Sequence, residues 1–157
     1  MAQIQTIPAA PKGAIAASQY LTPIVLGLQA LAVNGKQAHW NVQGKNFLAI
    51  HQLLDDVVGR AQTAADQAAE RIVALGLSID ARVERLAEQT STKVPAGFAQ
   101  WEESVRALVA DFDAVIADTQ VAIDGLDGID LPSQDVAIGI KEALDKDRWL
   151  LSANLAE

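Results

Sequence analysis

The stretch FLAIHQLLDDVVGRAQTAADQAAERIVAL, residues 47–75, decides how this chain folds. Phe47, Ile50, Leu54, Val57, Val58, Ala61, Ala65, Ala68, Ile72 and Leu75 recur at steps of three and four, the spacing of one helical face. At roughly 100° per residue this apolar stripe points to roughly 240–340°, counted from His51. On the same scale His51, Asp55, Asp66 and Glu70 point to roughly 0°, 40°, 60° and 100°. A long helix is therefore predicted with one face for a core and a separate face carrying one imidazole and three carboxylates. Gly76 ends it.

Working outward, the same periodicity predicts three more long helices. The first runs from about Ser18 to Gln43 on Leu21, Val25, Leu28, Leu31, Ala32, Ala38 and Val42. Asn34-Gly35 is a turn signal inside it, and local chemistry alone breaks the helix there. Another spans about Phe98 to Asp124 on Trp101, Val105, Leu108, Phe112, Val115, Thr119 and Ala122, and the last spans about Ser133 to Leu155 on Val136, Ile140, Leu144 and Leu151. Residues 80–88 suit a short connecting helix, and no segment reads as a strand pair. The expected fold is all-α: a four-helix bundle over residues 18–157, with a short extra helix in a middle connection that crosses the bundle end to end, preceded by a flexible tail over 1–17.

Composition narrows the chemistry. The chain has 157 residues, enough for one core, and no Cys, which excludes disulfides, thiolate-bound metals and thiol catalysis. Residues 15–31 come nearest to a membrane span but are interrupted by Pro23, Gly27 and polar residues, so no membrane partner is expected. No basic-then-apolar leader opens the sequence, so no signal peptide is read and a cytoplasmic location is expected. The net charge of −8 disfavours nucleic-acid binding through global charge. That charge is uneven: residues 1–78 carry +1 and residues 79–157 carry −9. Between Arg106 and Lys141 there is no Lys or Arg, while Asp111, Asp113, Asp118, Asp124, Asp127, Asp130 and Asp135 all lie there, forming either a solvated surface or one that attracts cations.

The spacing on the 47–75 helix says more. Asp55 and Asp66 are eleven residues apart, about 16 Å along the axis, so one helix cannot bring both to one ion. The pairs His51/Glu70 and Asp55/Asp66 share one midpoint, between residues 60 and 61. A twofold axis there sets His51 opposite the second copy's Glu70, and Asp55 opposite its Asp66. Gly59, on that face, has no side chain to hold the backbones apart. Imidazole and carboxylate ligands without thiolate suit Fe(II), Mn(II) or Zn(II). The acid three residues before a His, usual inside di-iron bundles, is absent: Lys36 and Leu48 stand there.

Residues 36–44 (KQAHWNVQG), 47–55 (FLAIHQLLD), the Asp66…Glu70-Arg71 spacing and residues 144–149 (LDKDRW) together closely resemble the Dps mini-ferritins, the DNA-binding proteins of starved bacterial cells. The resemblance implies a dodecameric shell of four-helix bundles with ferroxidase centres between subunits. His39, His51 and Asp55 would come from one subunit and Asp66 and Glu70 from the other. The substrate implied is iron: Fe(II) is oxidised with hydrogen peroxide or dioxygen and stored as Fe(III), which protects the cell from oxidative damage. The family's first helix runs unbroken through the position of Asn34-Gly35. Trp40 is either a donor that quenches stray oxidising equivalents or an ordinary packed Trp. Asp127, Asp130 and Asp135 are candidates for an iron pore, Asp135 by its register with family pore residues. Two other functions stay open. One is DNA compaction with nucleoid association, although the tail carries only Lys12 and twelve chains would sum to −96. The other is a metal-dependent hydrolase using the same His/carboxylate site.

Overall fold

The computed structural model describes residues 10–156. Four long helices form: α1 (Ala14–Asn41), α2 (Phe47–Ala74), α4 (Trp101–Leu126) and α5 (Leu131–Ser152). The short α3 (Val83–Gln89) lies in the middle connection, and a 3-10 turn (Ala153–Leu155) follows α5. The fold is an all-α four-helix bundle with one extra short helix, as the periodicity predicted. α1 begins at Ala14 rather than Ser18, because Ala14 and Ala17 are buried and continue its apolar face. Residues 10–13 of the expected tail lead into the helix with Ala10 packed against the core, and residues 1–9 lie outside the described residues.

α1 is unbroken at Asn34-Gly35. A Cβ on Gly35 would lie 2.7 Å from Val58 Cγ2, so this glycine serves the close approach of α1 to α2 and not a turn. Asn34 donates to Asp111 on α4 at 3.2 Å. Gly27 plays the same role towards α4, where a Cβ would meet Val115 at 2.8 Å.

One expectation about strands is corrected. The two-residue strands β1 (Val42–Gln43) and β2 (Ala99–Gln100) pair in parallel, Val42 beside Ala99. Two residues are too few for an alternating pattern to register in sequence. The pairing fixes the topology, because α4 starts at the end of the bundle where α1 finishes. The connection between α2 and α4 therefore runs the bundle's length. Gln37 of α1 straps it by donating to Pro95 O and Ala96 O, and Thr92 fastens it to Asp111 at 2.6 Å.

The core is the predicted aliphatic stripe, with Leu21, Leu28, Ile50, Leu54, Ile72, Leu108, Phe112, Ile140 and Leu151 all buried. Two expected stripe residues fall short: Val136 is only half-buried, and Phe47 is 43% exposed because it sits on the first turn of α2, beyond the last core layer. By length and composition α1 is apolar enough to cross a membrane, contrary to the sequence reading. Its place in the bundle accounts for that character, since 61% of its most apolar 18-residue window is buried against the other helices.

Candidate metal centre

His39 lies on the last turn of α1 and His51 on the second turn of α2, so the connection between them folds the two onto each other. Their rings stack with centroids 3.7 Å apart and planes at 19°. His39 Nδ1 lies 2.7 Å from the main-chain oxygen of His51, and His51 Nδ1 lies 2.9 Å from the oxygen of His39. A carbonyl oxygen only accepts, so each Nδ1 is the protonated donor. In the neutral form a ring so bonded carries its lone pair on Nε2, the form that binds a metal. His39 is buried and His51 half-buried, and the Phe47 ring leans on His51 at 5.2 Å.

Asp55 is one turn further along α2, with Oδ1 3.9 Å from His39 Nε2. The Lys36 ammonium donates to that same oxygen and holds the Asp55 carboxyl below its ordinary range. Asp66 and Glu70 are exposed on the later turns of α2 and do not join this group. Among the described residues no cluster of three or more His, Asp or Glu is set to enclose one ion within a single chain. The outer face of α2 is open where the sequence put the axis, and nothing lies within 4 Å of a Cβ built on Gly59. Trp40 is 66% exposed in the chain rather than packed.

The acidic turn before α5 divides in two. Asp130 caps α5, accepting from Ser133 N at 3.2 Å and from the Ser133 hydroxyl. It also pairs with Arg71 of α2 at 2.7 Å. Burial pushes its carboxyl up, but Ser133 and Arg71 outweigh burial and hold it below its ordinary value. Asp127 and Asp135 are exposed, and Asp135 stands past the first turn of α5, so the capping role falls to Asp130.

Three partners were not foreseen from sequence: Lys36 for Asp55, Arg71 for Asp130, and Arg60 for the buried Asp147, at 2.8 Å. A signal existed for the last. Asp147 falls between Leu144 and Leu151 on the stripe of α5, and an acid there requires a cation.

A family model for the ferritin-like domain matches residues 21–157. A DNA protection during starvation protein of Mycolicibacterium smegmatis is 33% identical over 124 residues, 76% of this chain, and the match spans 66% of that protein, just under two thirds of its length. One from Brevibacillus brevis is 31% identical over 143 residues, 87% of this chain and 96% of that one. The solved structure of a Dps from Microbacterium arborescens in its high iron form superposes with a TM-score of 0.93 at 66% identity, covering 95% of this chain and 98% of that one.

Proposed function

The chain belongs to the Dps family of ferritin-like proteins, and from that premise we propose that it oxidises Fe(II) at sites shared between two copies and stores the Fe(III). The observation that carries this reading is the reciprocal His39/His51 bonding, which fixes both tautomers and frees both Nε2 atoms. That the Microbacterium arborescens relative was captured in a high iron form supports iron as the metal.

In this reading iron is the substrate. His39, His51 and Asp55 bind it from one copy, and Asp66 and Glu70 from the copy across the twofold axis. The carboxylates favour Fe(III) over Fe(II), which eases oxidation. Two Fe(II) ions each lose one electron, and one hydrogen peroxide takes both and leaves as two hydroxide ions; dioxygen is the alternative oxidant. Twelve copies close the shell, in the cytoplasm, and iron reaches its interior past Asp127 and Asp135. Asp130 is tied to Arg71 and serves the turn's shape instead. With −8 per chain, DNA compaction is not expected, and a gel shift at low salt checks this.

The test is Fe(II) oxidation under peroxide, followed by Fe(III) absorbance. His51→Ala or Asp55→Ala is expected to slow it by roughly a hundredfold or more, since even indirect supports of a metal site are worth 10–100-fold. Both variants should still assemble, because neither residue lies in the core. A wild-type rate in either variant refutes the assignment.

A further inference from the structure

We propose that Lys36 is a tethered cation that occupies Asp55 until a metal ion displaces it, and thereby decides which divalent ions the centre accepts. This rests on the reading of His39, His51 and Asp55 as metal ligands. Lys36 stands one turn before His39 on α1, and its ammonium donates to Oδ1 of Asp55. That oxygen is the one 3.9 Å from His39 Nε2. An ion bound by both Nε2 and Oδ1, at bonds of about 2 Å, must take the oxygen to which the ammonium donates. Metal and lysine therefore compete for a single oxygen.

The competition is winnable. The Lys36 and Asp55 side chains are 35% and 55% exposed, and an ion pair so wet is worth a factor of about five or less. Once displaced, the ammonium remains tethered nearby and repels every divalent ion alike. What differs is how the ions are repaid for displacing it. Mg2+ and Ca2+ bind through oxygen and gain little from imidazole. Fe2+ and Zn2+ also gain two imidazole nitrogens, already in the correct tautomer. Lys36 thus raises the threshold for binding to a level that nitrogen-preferring ions clear and oxygen-preferring ions do not.

Zn2+ titration calorimetry on the assembled full-length protein, with and without millimolar Mg2+, tests this without iron oxidation as the readout. In the wild type, Mg2+ should leave Zn2+ affinity within about twofold. Lys36→Gln should bind Zn2+ about three- to tenfold more tightly. In that variant Mg2+ should weaken Zn2+ several-fold. Lys36→Arg keeps the charge and should behave as wild type. If Lys36→Gln matches the wild type in both buffers, or Lys36→Arg matches Lys36→Gln, the proposal is wrong while the site stands. If wild-type Zn2+ binding is untouched by His51→Ala and Asp55→Ala, the site reading itself is wrong and this proposal falls with it.

Discussion

If each centre takes Asp55 from one copy and Glu70 from the other, two inactive variants restore each other in a fixed proportion. Within one chain Asp55 lies near His39, whereas Glu70 is fifteen residues further along α2, about 22 Å along the axis. Asp55→Ala damages the half-site holding the imidazoles, and Glu70→Ala damages the half-site facing them. In a mixed twofold dimer one site collects both lesions and the other keeps every ligand. Equal amounts, unfolded and refolded together, pair at random, so about half the dimers are mixed and about a quarter of all sites are whole. The mixture should therefore oxidise Fe(II) at about a quarter of the wild-type rate, against near-background rates for each variant alone. Mass spectrometry of cross-linked dimers confirms that mixing occurred. Recovery absent from a mixture proven to contain mixed dimers would show that each site is built within one chain.

Three further outcomes follow from particular contacts. Gly35→Ala gains helix propensity of about 1 kcal/mol, but its Cβ would lie 2.7 Å from Val58 Cγ2. Overpacking of about 1–3 kcal/mol outweighs the gain, and a thermal scan should show the midpoint lowered by about 2–4 °C. Asp130→Asn keeps a capping oxygen but removes the charge facing Arg71, and should cost about 1 kcal/mol at neutral pH. Because the folded carboxyl titrates below the unfolded one, its contribution is present above about pH 4 and fades as pH falls through the lowered value; denaturant melts should show variant and wild type converging there. Asp127→Asn with Asp135→Asn should slow mineralisation, most at low ionic strength, and uptake unchanged in both rate and salt dependence excludes that route.

The bundle was legible because its signal is repeated. Ten positions from Phe47 to Leu75 vote for one face, and nine of them are buried. The spacing behind the proposed site is legible for a related reason: a shared midpoint of two residue pairs is a relation within one helix and needs no tertiary knowledge. What escaped were relations between helices. Asn34-Gly35 has the local chemistry of a turn, yet Gly35 answers to Val58 and Asn34 to Asp111, and neither partner is near in sequence. Phe47 obeys the period and is still exposed, because periodicity gives direction around a helix but not depth in the bundle. In sequence Lys36 stands out for the acid absent three residues before His39, whereas its contact with Asp55 depends on α1 lying beside α2.

The uneven charge noted in the sequence acquires a structural meaning through these same pairings. Two basic residues of the first half reach across the bundle: Arg60 holds the buried Asp147 of α5, and Arg71 holds Asp130 at its start. Both ties run from α2 to α5, so the helix that carries most of the proposed ligands is clamped near both its middle and its end. An arginine that neutralises Asp130 also removes it from the field of the acidic turn. The exposed acids left there, Asp124, Asp127 and Asp135, lie in the stretch with no Lys or Arg between Arg106 and Lys141. In the first half, by contrast, Lys36 screens Asp55, which lowers the centre's pull on passing cations. On the proposed reading the acidic turn attracts cations in general through long-range charge, while the centre selects among them through its imidazoles. Attraction and selection are thereby assigned to different residues, so a change in one should leave the other intact: Asp127→Asn with Asp135→Asn alters rate and salt dependence but not Zn2+ affinity at the centre, and Lys36→Gln does the reverse.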